Sequence, residues 1–582
     1  MTAKNLLFNH LSAAAVIVMM MAVGCGKDTT DPDVPVSVTE INGTTISEGN
    51  NLVGLISDSK TGKGIPGVPV TDGYTFTVTD GNGVYQMEAN RYCRKVYYSL
   101  PSGYQTNLDG TNHLPEFFST KAIDRTEVNR NDFVLTPTAQ DETNFTLVMI
   151  GDPQCRTESD VQRYVKETIP DIQSQLNSDK ARFAHPYAIT LGDITFDYTT
   201  RWDPMRASMS NVKLEDGSYL PFYQCIGNHD HDAAEANDYK ATDNFFNYFG
   251  PTDYSFNIGK AHIIVMDDVA VTSTMSSSSS NSGKTWQYNG GLTAAQYKWL
   301  VEDLSYVQNK EDKVVFFCAH IPFRSGAANG GGASVSTDMH YAEVLKLLTD
   351  FNEAHIMIGH THYNQNWIHA KYKCKGGQPI YEHVHGAACG AWWSSNSTVI
   401  GGPNGYSVYE VKGNSVHNWI SKGVNHPESY QLRVYDGDQT YTGSKGYKYN
   451  WYNTSNKVGS SSIVTSGNAS FKNSFVVEIF DDDDRNWQVE FYQNGAKVGN
   501  FTRVANGQSA NVCVASYYFN ELGKNSATWS SRTASHYWYF KPASGNPSSE
   551  SDWEVRATRT IPSSGYTTTF IRADLTTDYS EF

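Results

Sequence analysis

Between residues 141 and 421 the chain alternates compact apolar runs with stretches of helical periodicity. Apolar runs at 145–150, 187–191, 222–226, 261–266, 314–318 and 355–358 predict strands. Val161, Tyr164, Val165, Ile169, Ile172 and Leu176 recur near a 3.6-residue period and predict a helix. Trp299, Leu300 and Leu304 repeat that signal, as do Val344, Leu345 and Leu348. Such alternation predicts an α/β core. On either side the texture changes. Over 44–137, short β-rich runs such as Val53-Gly54-Leu55-Ile56 and Gly83-Val84-Tyr85 are separated by Gly, Pro and Asp turns, which predicts an all-β sandwich. Over 423–582 no long helical period appears and Tyr, Trp and Thr are frequent, which predicts a β-rich domain. Hairpin signals stand at Asn494-Gly495 and Ser544-Gly545. The acidic run 481–484 lacks EF-hand spacing and reads as a solvated turn. The Ser-rich stretch 273–284 reads as a flexible loop.

The N-terminus has a different character. From Leu11 to Val23 every residue but Ser12 is apolar, a run shorter than the ~20 residues a bilayer span needs and of signal-peptide length. It ends in Ala22-Val23-Gly24-Cys25, which resembles a bacterial lipoprotein box. That resemblance implies removal of residues 1–24, lipidation of Cys25, a polar tether over 25–43, and a protein anchored in the cell envelope, touching the membrane only through its lipid. A plain secretory signal is the alternative. The middle block is then 138–422, between the two β-rich blocks.

Composition narrows the function classes. With 45 Lys plus Arg against 61 Asp plus Glu, the net charge is −16, so no nucleic-acid-binding surface is expected. Hydrophobic content of 39% suffices for real cores. Cys93, Cys155, Cys225, Cys318, Cys374, Cys389 and Cys513 follow Cys25, an odd set without a CxxC pair, so a zinc finger is not supported and at least one thiol is expected to stay free. Cys225 and Cys318 lie in apolar runs and read as buried thiols.

The chemistry stands at the ends of the predicted strands. Gly151-Asp152-Pro153-Gln154, Gly192-Asp193-Ile194-Thr195-Phe196-Asp197, Gly227-Asn228-His229-Asp230-His231, Ala319-His320 and Gly359-His360-Thr361-His362 each follow an apolar run. In an α/β sheet, ligands bind outside the carboxyl ends of the strands, so five such loops can converge on one rim. Oxygen and imidazole donors suit divalent ions. Two such ions roughly 3.5–4 Å apart can clamp a phosphate and generate hydroxide near neutral pH.

This order of motifs resembles the calcineurin-like metallophosphoesterases. The resemblance covers about half the chain and implies a two-sheet α-β-β-α sandwich. It implies two divalent ions (Mn, Mg, Fe or Zn), with Asp193 between them, Asp152 and His362 on the first, and Asn228, His320 and His360 on the second. His229 would protonate the leaving oxygen or stabilise phosphoryl charge, with Asp230 orienting it. Gln154 replaces the family's histidine, and reads either as a weaker amide ligand favouring Mn or Mg over Zn or as a residue behind the ligands. Arg324 and His231 are candidates for contacting substrate phosphate, each with an ordinary structural reading beside it. Trp392 and Trp393 read as a pocket wall. Asp197 reads as a helix-start carboxylate, Asp267 and Asp268 as structural, His355 as a packing histidine. Cys389 has no adjacent His–Asn pair that would make it a nucleophile. The 44–137 block resembles a carboxypeptidase-regulatory-like sandwich and offers no catalytic cluster.

The implied activity is two-metal hydrolysis of an extracytoplasmic phosphomonoester or phosphodiester. The alternative is an envelope- or glycan-binding lipoprotein built on an inactive phosphoesterase core.

Overall fold

A computed structural model describes residues 38–582 apart from 198, 277–284, 325–338, 391–393, 460–461, 506, 525, 527–532 and 535. Residues 1–37, which include the expected signal sequence and Cys25, and Trp392 and Trp393 therefore lie outside the described residues.

Two sheets form the centre. The first runs in the order Phe222–Cys225, Pro186–Leu191, Asn144–Ile150, Gly405–Lys412, Ser415–Gly423. Its first three strands are parallel and its last two antiparallel. The second runs Tyr254–Ile258, Ala261–Val265, Val314–Cys318, Glu353–His362, Pro379–Gly386, Gln365–Lys373, with four central strands parallel. Strand side chains alternate between faces. Accordingly Leu147 and Met149 face the core shared with the second sheet, while Val148 and Ile150 pack against Val161, Tyr164, Ile172, Leu176 and Trp202 of the covering helices. Helices Ala294–Tyr306 and Tyr341–Leu348 bring Trp299, Leu300, Val344 and Leu345 onto the second sheet. The result is the expected α-β-β-α sandwich.

The first helical signal is one continuous element with a wide turn inside it. Glu158–Arg163 is α-helical, Tyr164–Thr168 is π-helical, and Ile169–Ser178 is α-helical again. Pro170 has no N–H to give to the preceding turn, so an interior α-turn there would leave a carbonyl bare. The π-turn absorbs that mismatch.

The N-terminal block packs two small sheets, Val84–Met87 with Leu52–Asp58, and Phe76–Val78 with Pro69–Thr71 and Tyr97–Tyr98. It leans on the second central sheet. Asn257 N–H donates to the Leu100 carbonyl (2.9 Å), and the Ser99 and Ser255 hydroxyls meet at 2.8 Å.

The C-terminal block holds two four-stranded sheets. It also holds a helix, Val512–Asn520, that no periodicity announced. Eight of its nine residues are buried, so its pattern is apolar all round and lacks an amphipathic stripe. Asn494-Gly495 forms the tight hairpin turn between Trp487–Gln493 and Ala496–Asn500, with φ of 50° and 74°. Ser544-Gly545 does not join a hairpin. It precedes a short 3-10 turn, and the flanking strands belong to different sheets.

The acidic run is not a solvated turn. Asp481 accepts from Arg559 (2.9 Å) and Asn366 (2.7 Å). Asp482 accepts from Arg503 (2.7 Å) and the Trp538 indole (3.0 Å), and Asp483 caps the N–H groups of Arg485 and Asn486. Arg559 reaches on to Asn418 (3.2 Å) and the Trp419 carbonyl. Asn366 and Trp419 sit on edge strands of the two central sheets. This buried hub therefore covers both edges, which would otherwise expose unpaired backbone. The 273–284 stretch also departs from expectation in part. Val269–Ser276 pairs antiparallel with Thr285–Gly290, while 277–284 lie outside the described residues. Among the described residues no helix is long and apolar enough to cross a membrane.

Candidate metal centre

Five loops at the carboxyl ends of parallel strands meet over the cleft between the two sheets. Their backbone is unusual. Asp152, Gln154, Asp193, His360 and His362 all have left-handed φ, between 40° and 69°. Such conformations cost of order 1–3 kcal/mol each for ordinary residues and persist only where surroundings over-determine them. The glycines of the motifs are needed for close approach. A Cβ on Gly227 would stand 2.2 Å from the Asp193 nitrogen and 2.3 Å from its Oδ1. A Cβ on Gly359 would stand 2.7 Å from Asp152 Oδ2.

Two groups of donors share one carboxylate. Asp193, His320 and His360 place one ligand atom each within 4.8 Å of one another, and so do Asp152, Asp193 and His362. Asn228 Oδ1 lies 3.0 Å from His320 Nε2 and 2.9 Å from His360 Nδ1, and those two nitrogens are 3.2 Å apart. His320 Nδ1 is 2.8 Å from the Leu191 carbonyl, which can only accept, so Nδ1 carries a proton and Nε2 is the atom left to face the cluster. Gln154 joins them, its amide nitrogen donating to Asp193 Oδ2 at 3.0 Å. The structure thus brings together Asp152, Gln154, Asp193, Asn228, His320, His360 and His362.

The residues fit a pair of cations. Asp152 Oδ1 is fully buried without a hydrogen-bond partner. Its nearest cationic candidate, His362 Nε2, stands 3.6 Å away. A bare buried carboxylate oxygen is costly, and one beside an imidazole lone pair is an unfilled ligand set. Burial holds the Asp152 carboxyl well above the usual carboxylate range. Burial also opposes the charge on Asp193, but His320 and His229 outweigh it and keep that carboxyl below its ordinary range. Burial pulls His362 down to about 3, so it is neutral and ready to ligate. His320 goes the other way. Burial disfavours its cation, but Asp193 and Asp152 lift it to about 10. A divalent ion would take the place of that proton.

His229 stands at the rim with 18% of its side chain exposed. Its N–H fastens to Asp193 Oδ1 (2.7 Å), its ring stacks on Phe196 at 4.2 Å, and its Nδ1 meets Asp197 Oδ1 at 2.9 Å. The carboxylate that orients His229 is therefore Asp197, not Asp230, and Asp197 is not merely a helix-start residue. Asp230 turns inward and accepts the N–H groups of Ile194 (3.0 Å) and Gly227 (3.0 Å), locking two ligand loops together. His231 does not face substrate. Its side chain is wholly buried, with Nδ1 on the Gly227 carbonyl (2.8 Å) and Nε2 on Asp267 (3.1 Å). The Arg324 guanidinium lies over the Trp367 ring at 4.6 Å. Asp268 is structural in a specific way, accepting the N–H groups of His320 and Ile321 and the Tyr341 hydroxyl (2.8 Å). His355 packs between Glu353 (2.6 Å) and His383 (3.0 Å). Tyr288, unmarked in sequence, comes edge-on to His360 from the 269–290 hairpin. A carboxylate four positions after Asp193, at the same strand end, was the available signal for Asp197.

Residues 145–364 match the family described as calcineurin-like phosphoesterase. Residues 51–138 match the N-terminal and 382–562 the C-terminal part of calcineurin-like phosphoesterases. No curated protein matches the chain in sequence. Similar solved structures include a purple acid phosphatase from yellow lupin (Lupinus luteus) seeds, at 14% identity and TM-score 0.32, covering 49% of this chain and 54% of that one. Another is the NAD nucleotidase of Haemophilus influenzae, at 14% identity and TM-score 0.28, covering 53% of each. The chain spans about half the length of each of these proteins.

Proposed function

The chain belongs to the calcineurin-like phosphoesterase family, and on that premise we propose that it hydrolyses a phosphate ester using two divalent ions that share Asp193. Asp152, Asp193 and His362 would hold one ion, with Gln154 beside them. Asp193, Asn228, His320 and His360 would hold the other. The observation that carries this reading is the single carboxylate common to two ligand groups, next to a buried and unpartnered Asp152 oxygen. When bound, such ions neutralise phosphate charge and make water nucleophilic near neutral pH.

The chain's own residues do the rest. Asp197 holds Nδ1 of His229, which leaves Nε2 as the nitrogen that would meet the ester. Burial works against the His229 cation, but Asp193 and Asp197 outweigh it and raise its pKa, which suits the ring to donating a proton to the departing ester oxygen. Phe196 fixes the ring plane. Asp230 and Asp268 keep the ligand loops in place from behind.

In this proposal the ester lies outside the cytoplasm and the protein is tethered through Cys25. Incorporation of a lipid label that Cys25→Ser abolishes is the expected result there. The activity itself is tested with an aryl phosphodiester and an aryl phosphomonoester, using metal-stripped protein with manganese, magnesium or zinc restored. Metal-dependent turnover that falls in His229→Ala is expected, and the preferred ester defines the substrate class. Stoichiometric metal with no turnover of either ester would count against the hydrolase and bring the envelope-binding alternative forward.

A further inference from the structure

All seven described cysteines are buried and unpaired. Two of them meet beneath the candidate metal centre. The sulfurs of Cys155 and Cys389 are 3.8 Å apart although 234 positions separate them in the chain. Both thiols point at one acceptor, the Pro153 carbonyl, at 3.5 Å and 3.0 Å, which draws the two sulfurs to the same spot. Cys93, Cys225 and Cys374 point instead to backbone carbonyls of their own surroundings.

The backbones carrying the two sulfurs are already joined. Gly151 bridges Ala387 in parallel, and Ala388 N–H donates to the Gly151 carbonyl at 2.8 Å. Cys155 is also woven into the Asp193 loop. Gln154 N–H donates to the Asp193 carbonyl (2.7 Å), and Phe196 N–H to the Cys155 carbonyl (3.3 Å). A disulfide needs sulfurs at about 2.05 Å, a closure of about 1.8 Å from the observed separation.

We propose that Cys155 and Cys389 are a disulfide-forming pair that ties the loop bearing Asp152 and Gln154 to the segment following the Pro379–Gly386 strand. In the bond-forming step each thiol gives up its proton and the pair gives up two electrons. A small disulfide such as glutathione disulfide takes both and leaves as two thiols. Exchange needs access to sulfur, and these sulfurs are buried, so the bond forms while the chain folds and is afterwards shielded from reductant. Once made, it holds three segments at fixed spacing under the ligands: 151–155, 193–196 and 387–389.

The pairing of these thiols is independent of any phosphoesterase activity, and testing it needs no turnover. The full-length protein is refolded in a glutathione redox buffer, alkylated without reductant, digested and read by mass spectrometry. A peptide linking Cys155 to Cys389 is expected, with Cys93, Cys225, Cys318, Cys374 and Cys513 alkylated. The oxidised protein should melt roughly 5–10 °C above the reduced one. That difference should vanish in Cys389→Ala and persist in Cys374→Ala. Recovery of Cys155 and Cys389 as alkylated thiols from folded, refolded protein would overturn the proposal, and so would links scattered among several cysteines.

Discussion

Two regions of this molecule bury several carboxylates together, and they differ in what those carboxylates face. At the docking hub, Asp481 and Asp482 each meet an arginine, and Asp483 caps backbone N–H groups. Every charge there is answered by the chain. At the metal centre no arginine or lysine touches Asp152 or Asp193 in the hydrogen bonds and ion pairs of the described residues. Their partners are imidazoles, an amide and backbone N–H groups, and one Asp152 oxygen has none. Buried acid with a guanidinium is architecture. Buried acid with imidazole lone pairs and an orphan oxygen is a site prepared for a cation.

Mutation should separate the two regions cleanly. The largest effect belongs to Asp193→Asn, which removes the shared ligand. Metal-dependent kcat/KM should fall by about 10⁴-fold or more, while melting in chelator stays level or rises, because a buried charge has been removed. A melting temperature that collapses with activity would make Asp193 as structural as Asp481 and erase the contrast. The converse experiment is Arg559→Leu, which strands Asp481. It should cost about 3–5 kcal/mol in denaturant unfolding and leave kcat per folded molecule close to wild type. Next comes Asp197→Asn, which frees His229 without touching a ligand. A fall of roughly 10- to 100-fold is expected on alkyl esters, and a smaller one on nitrophenyl esters, whose leaving group needs no proton. An equal loss on both would assign Asp197 to holding the loop.

The smallest effect concerns pH. His231 sits between the two kinds of region, a buried histidine wholly answered by a carboxylate and a carbonyl. Burial disfavours its cation, but Asp267 and the Gly227 carbonyl raise it to about 9. The groups around this pair matter too, since burial raises Asp238 to about 6 and Asp253 to about 8, each helped by Asp267. A raised histidine stabilises the fold below its unfolded pKa of about 6.5, and that contribution is lost as pH rises through about 9. The melting advantage of wild type over His231→Gln should therefore be greatest below pH 6.5 and shrink toward pH 9. A difference that does not change with pH would mean that His231 is neutral in its pocket.

Legibility in the sequence followed the physics of each element. Strands such as Val314–Cys318 are apolar on both faces and stood out. Pro379–Gly386 is just as buried, but Glu382, His383 and His385 are among its eight residues, so hydropathy passes over it. Those side chains are satisfied by partners from other elements, as in His369 with Glu382 (2.7 Å) and His385 with Tyr409 (3.0 Å). The residues that converge on the candidate centre were readable because each motif is local. Partnerships were not. Asp230 adjoins His229 in the chain yet points away from it, while Asp197 lies 32 positions off and touches it. The solvated reading of 481–484 failed for the same reason, since Arg559 and Arg503 arrive from distant strands.

The left-handed backbone at the ligands bears on how this rim can change over generations. Among side chains other than glycine, Asn, Asp and His tolerate positive φ best. Those are also the residue types found at 152, 193, 360 and 362. Each of these positions therefore carries two constraints in the proposed site, one on its donor atom and one on its conformation. A drift from Asp to Glu would keep the charge but meet a steric penalty before any metal is considered. Gln154, with φ of 41° and no such tolerance, is the position where the chain has accepted that penalty. It is therefore where a single substitution to Asn or His would relax the backbone and alter the donor in one step.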